Sequence, residues 1–202
     1  MGDNTVVNAL EAFAGSFIGI FANLAGEFAV INTVVIVLIQ AMGMLISISG
    51  IMQLIKMRKP EYAQKYTTES ALKRLAVGPI TILINGLMLN VSQSMFGDSY
   101  GNDNMPRAMM YSEAIDKGGD PLAGMLLAIV AFLVLVGWIA AGRAMMAFAR
   151  SSDPGQDGYA LTKAGMSRLF AAVILCSFQF VMDDLIQSAT GTANSFSSQL
   201  NL

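Results

Sequence analysis

From Leu122 to Gly142 the chain reads LAGMLLAIVAFLVLVGWIAAG, 21 residues without a charged side chain. At about 1.5 Å per residue, a helix of that length crosses the roughly 30 Å hydrocarbon core of a bilayer. Arg143 and Arg150 close the run, and SSDPGQDG then supplies a turn-rich linker. A second apolar run, LFAAVILCSFQFVMDDLI, follows Arg168. Residues 122–191 therefore read as a helical hairpin in a membrane, with a short basic loop at its tip.

The rest of the chain has the same character. Apolar residues make up 54% of the 202 and charged residues 13%, too apolar a balance for an ordinary soluble domain. Fifteen methionines serve as adaptable packing surface or as plain apolar filler. There is no histidine, hence no imidazole ligand and no histidine base. Cys176, the single cysteine, sits in an apolar run and builds neither an intrachain disulfide nor a thiolate site. The sequence has no P-loop, no G-x-G-x-x-G after a strand and no G-x-S-x-G. Asp183 and Asp184 are adjacent and diverge by about 100° on a helix, a poor arrangement for an acid–base pair. Neither an enzyme nor a cofactor or metal is expected.

Taken in order, residues 1–29 hold Asp3, Glu11 and Glu27 and no cation, unlike a signal peptide with its positive start. Val6, Leu10, Phe13, Phe17, Ile20, Leu24 and Phe28 recur at helical spacing, which predicts an amphipathic helix along the membrane surface or against a neighbour. The alternative is a frayed extension of the first span. Val30–Ile55 is that span, stopped by Lys56, Arg58, Lys59 and Pro60. Thr67 or Thr68 is the expected N-cap of the returning helix, with Glu69 near the positive end of its dipole. Leu75–Phe96 is the second span, with a kink expected near Gly78-Pro79 and a stop at Gly97. Residues 30–97 thus form a first hairpin. The acidic connection over 98–121 holds a candidate short helix, MPRAMMYSEAI, and residues 192–202 form a polar tail. Gly43, Ser47 and Gly50 in the first span, and Gly137, Ala141 and Gly142 in the third, permit close helix contact. The fold class is an all-α integral membrane protein: four transmembrane helices as two tandem hairpins, plus the N-terminal amphipathic helix.

The hairpins resemble each other. At an offset of 94, Thr68, Arg74, Leu75, Ile80, Met88, Gln93, Ser94 and Gly97 recur as Thr162, Arg168, Leu169, Ile174, Met182, Gln187, Ser188 and Gly191. At an offset of 92, Gly50 and Arg58 recur as Gly142 and Arg150, which implies a two-residue difference in the loop. Such a pair would be a parallel repeat about an axis along the membrane normal; chance likeness between two membrane hairpins is the alternative.

Charge sets the orientation. Ten of the twelve basic residues lie at or between the paired span ends: Lys56, Arg58, Lys59, Lys65, Lys73, Arg74, Arg143, Arg150, Lys163 and Arg168. The bias of lysine and arginine toward the cytoplasm places both tips inside and both termini outside, in the periplasm of a bacterium. These cations are expected to contact anionic phospholipid headgroups or a docking partner, with transferred nucleic acid a third candidate.

Polar residues interrupt the spans. Gln179, Asp183 and Gln187 follow a four-residue step on the last span, widened by Asp184 and Ser188. Asn85, Asn90 and Gln93 hold the repeat-equivalent positions of Gln179, Asp184 and Gln187. Ionisable groups in a membrane are costly and usually face protein or water. Asp183 lies about 21 Å along the helix from Leu169, which makes these residues either a helix end at the interface or a seam between subunits or along a pore.

Gly142-Arg143, the PGQDG turn Pro154–Gly158, Gly165 with Arg168, and Gln179-Phe180 carry a resemblance over residues 130–191. The stretch is similar to the IcmC/DotE family of type IVB secretion systems, related to TraQ of IncI-type conjugation systems. It differs in its glycine-poor Leu169–Val173 and its lack of histidine. The resemblance implies a small, non-enzymatic inner-membrane subunit of an envelope-spanning transfer apparatus. A short basic loop between two spans with periplasmic termini also looks like a conjugative pilin, here as two hairpins in tandem. The expected partners are the bilayer, further copies of the chain and other secretion-system subunits, with transferred protein or DNA as cargo. A small ion channel or transporter using the polar stripe is the rival expectation.

Overall fold

The computed structural model describes residues 3–59, 66–96, 121–151 and 153–191, and every regular element among them is a helix. These are α1 (Asp3–Met57), α2 (Thr68–Ile82), α3 (Ile84–Phe96), α4 (Pro121–Arg150), α5 (Gly158–Cys176) and α6 (Phe178–Thr190). The 98–120 connection with its candidate helix, Lys65, Gly97 and the tail from 192 lie outside the described residues.

Among the described residues, three stretches are long and apolar enough to cross a membrane: Val30–Met57 of α1, Ala128–Arg150 of α4, and α5. Val30, Leu45 and Ile55 of α1 are each more than half exposed, as suits side chains solvated by lipid. α2 and α3 reach crossing length only as a pair, bent by 80°. No helix ends near residue 29, since α1 runs unbroken over 55 residues. The side chains from Val6 to Leu24, and that of Phe28, which would carry the expected amphipathic face, lie outside those described.

Two helices extend beyond their apolar runs. α4 continues past Gly142 through Arg143 to Arg150. α5 begins at Gly158, ahead of the run that follows Arg168, so Lys163 and Arg168 ride on the helix. The reason is local: the Asp157 carboxylate accepts from the Ala160 amide at 3.1 Å and caps the helix there. Ahead of it, Gln156 N–H donates to the Asp153 carbonyl at 3.1 Å, with Gly155 at φ 81°. Proline at the second position and a left-handed glycine at the third are what such a reversal requires.

Packing divides the chain into two units: Met1–Thr33, Asp103–Leu135 and Ser177–Leu202 form one, Val34–Asn102 and Val136–Cys176 the other. In the second unit the small residues bring helices together as expected. A Cβ on Gly43 would stand 2.9 Å from the Gly78 carbonyl and 2.9 Å from the Ile82 amide, so α1 and α2 meet almost backbone to backbone. Gly50 meets Ala71 and Leu75 one helical stretch further on. Gly137 does the same between α4 and α5, with Ala172 O at 3.1 Å. α3 packs on α2 and on α5. In the first unit Val130, Ala131 and Val134 are buried, as are Asn32, Ser177 and Asp183.

The kink is not at Gly78-Pro79. α2 stays helical through them and stops at Leu83, whose φ of −91° and ψ of 25° lie off the helix. Gly78 is held against Ser47 of α1, and the close contact reaches as far as Ile82; the chain turns where it ends. α5 breaks in the same place in the repeat: Ser177, 94 residues on, has φ −103° and ψ 17°. Leu87 N–H donates to the Leu83 carbonyl at 3.1 Å, and Val181 N–H to the Ser177 carbonyl at 3.2 Å. The offset of 94 also relates Gly43 with its neighbours Gly78, Thr81 and Ile82 to Gly137 with Ala172, Leu175 and Cys176. This replaces the offset of 92 in the outer helices, because the glycine contacts themselves are in register at 94.

Candidate functional site

Where α1 and α2 meet at Gly50, the α2 face carrying Ser70 and Arg74 turns toward Gln53 and Ser49 of α1. Thr67 is the N-cap, accepting from the Ser70 amide at 3.3 Å, which fixes the first turn and with it that face. Arg74 Nη2 lies 2.7 Å from both carboxylate oxygens of Asp153, in the turn between α4 and α5. Arg74 Nη1 donates to Ser49 Oγ at 3.3 Å. Ser70 Oγ has one proton to share between Asp153 Oδ1 at 3.0 Å and Gln53 Oε1 at 3.3 Å. Gln53 and Ser70 are buried, and the side chains of Arg74 and Asp153 are only 22% and 23% exposed. In such surroundings a charge-assisted pair is stronger than a surface one. The cluster joins the basic end of the first hairpin to that of the second.

Of the expected basic contacts, Arg74 is therefore engaged by protein, and Lys73 faces Glu69 one turn earlier at 3.2 Å with both side chains well exposed. Lys56, Arg58, Lys59, Arg143, Arg150, Lys163 and Arg168 are exposed. Arg74 and Arg150 also line a cavity of about 210 Å³ with Met42, Leu45, Ile46, Ser49, Met146 and Ala149. The Nε of Arg74 is buried and has no hydrogen-bond partner.

The expected seam falls into parts belonging to different units. On α3, Asn85 and Asn90 are exposed and Gln93 half-buried. On α6, Asp184 and Gln187 are exposed while Asp183 is buried, so the four-residue stripe does not share one environment. The side chain of Gln179 lies outside those described. Gly191 ends α6 in the left-handed region, its amide donating to Gln187 O at 2.8 Å.

Sequence reasoning missed Asp153, Ser70, Gln53 and Ser49. Asp153 reads as a turn former beside Pro154, and the one signal that marks it is an acid three residues after Arg150 at a basic tip. Among the described residues no three histidine, cysteine, aspartate or glutamate side chains gather as a metal site. No known protein family, curated protein or solved structure matches this chain.

Proposed function

We propose that this chain is a non-enzymatic structural subunit of the bacterial inner membrane, assembling with copies of itself or with other components of a type IV secretion or conjugation-like apparatus. The observation that carries the reading is the exposure of Asn85, Asn90, Asp184 and Gln187 on half-helices otherwise rich in apolar side chains. Left in hydrocarbon, each would cost free energy; against a neighbouring subunit or a water-lined passage it does not. The resemblance at residues 130–191 supports the type of apparatus. The clustered lysines and arginines support tips in the cytoplasm and termini in the periplasm. The test is disulfide crosslinking in native membranes of Asn90→Cys and Gln187→Cys, each in a Cys176→Ala background. Crosslinked dimers or larger species are expected; a chain that stays uncrosslinked at both sites, with no partner in native mass spectrometry, ends the proposal.

A second reading, a small channel or transporter, draws on the paired helix breaks at Leu83 and Ser177. Interrupted helices at matching points of a repeat are where transporters hold ions. Acid-dependent flux in liposomes holding only this protein, abolished in Asp183→Asn, would favour it.

A further inference from the structure

The cavity beside Arg74 is built like a lipid site. Its walls are Met42 and Leu45 of α1 and Met146 of α4, flexible or branched apolar side chains that accept an alkyl chain. Two lining residues are cationic: Arg150, which closes α4, and Arg74 of α2. Asp153 balances one of these guanidinium charges, the one on Arg74. Arg150 is exposed with no carboxylate within salt-bridge distance among the described residues, and Arg74 keeps one buried donor, Nε, unmet. The cavity lining thus carries one guanidinium that no carboxylate balances, beside apolar side chains of α1 and α4. The polarity follows the membrane. Arg150 is the last residue of a candidate span, and Met42 lies about 22 Å along α1 from the helix end at Met57.

We propose that this cavity binds an anionic glycerophospholipid, its phosphate held at Arg150 and the outer edge of Arg74 and one acyl chain laid along Met42, Leu45 and Met146. Basic pockets between membrane helices are suited to anionic headgroups. The occupant then supplies the missing counter-charge and bridges α1 and α4 beside the Arg74–Asp153 pair. The binding is independent of whether the protein oligomerises.

The experiment uses the full chain in nanodiscs of phosphatidylcholine doped with phosphatidylglycerol, followed by release into the gas phase and mass measurement of retained lipid. Wild-type protein is expected to retain phosphatidylglycerol over phosphatidylcholine. Arg150→Gln, at an exposed position that leaves the packing intact, is expected to lower that preference about fivefold. Lys163→Gln, a cation of the same end that does not line the cavity, is expected to leave it unchanged. Met146→Trp keeps both charges and fills the apolar wall, and is expected to reduce retention of both lipids. Equal losses in Arg150→Gln and Lys163→Gln would overturn the proposal in favour of diffuse attraction. Retention unaffected by both Arg150→Gln and Met146→Trp would also overturn it, as would displacement of the lipid by inorganic phosphate alone.

Discussion

At the scale of single residues, distance in sequence decides what can be read. Arg74 and Asp153 are 79 positions apart, and neither local periodicity nor composition pairs them. The arginine reads as one of several tip cations and the aspartate as a turn residue. What was legible was the need for small residues at Gly43, Gly50 and Gly137, because close approach between apolar helices requires them whatever the partner. The ion pair is predicted to matter for stability. Breaking a partly buried, charge-assisted pair leaves the arginine without its acceptor, so Asp153→Asn should cost about 1–3 kcal/mol. A double-mutant cycle with Arg74→Gln, followed by unfolding in mixed micelles, checks this; additive single effects would show that the pair contributes nothing. The glycines give a paired test. A Cβ at Gly78 would stand 2.8 Å from the Ser47 amide, whereas one at Gly86 meets nothing within 4 Å. Gly78→Ala should therefore destabilise by roughly 1–3 kcal/mol. Gly86→Ala should be neutral or stabilising by up to about 1 kcal/mol.

Elements show a different kind of gap. The apolar runs announce where helices lie, but Pro79 drew the expected kink to itself. Proline removes one amide donor and crowds the carbonyl four residues earlier, a disturbance on the side of Leu75 rather than Leu83. The repeat separates the causes, since Val173 holds the position of Pro79 and α5 still breaks at Ser177. Proline is thus not required for a break at this point. Pro79→Ala is predicted to leave the bend between α2 and α3 in place. Spin labels at the exposed positions Leu72 and Met95 would report it. With the pair bent by 80° from straight, the backbone separation should be about 26 Å, against about 35 Å for a straight helix. A shift of the distance distribution toward the longer value in Pro79→Ala would return the bend to the proline.

For the molecule, the Arg74 cluster bears on how many times the chain crosses the bilayer. Asp153 belongs to the turn after α4 and Arg74 to the second turn of α2, so the two basic ends lie together in one unit. Ends tied by a direct ion pair emerge on the same side of a membrane. Between them the chain passes through α2, α3, the connection and then α4, and α4 is long and apolar enough to cross once. A single crossing by α4 brings the chain back to the starting side only if the bent α2–α3 pair has already taken it across. We predict from this parity, with the acidic 98–120 sequence taken as a connection, that the pair is itself a span, which with Val30–Met57, α4 and α5 would make four. A re-entrant α2–α3 would instead leave the end of α3 on the side of the tips. The expected outcome follows for a membrane-impermeant maleimide in a Cys176→Ala background. Gln156→Cys and Lys59→Cys, both exposed, should label only in inverted vesicles, given the cytoplasmic side proposed for those ends from the lysine and arginine bias. Met95→Cys should label only in right-side-out vesicles. Labelling of Met95→Cys from the same side as Gln156→Cys would make the pair re-entrant and remove the fourth span. Labelling of Gln156→Cys and Lys59→Cys from opposite sides would require the ion pair itself to be absent in the membrane.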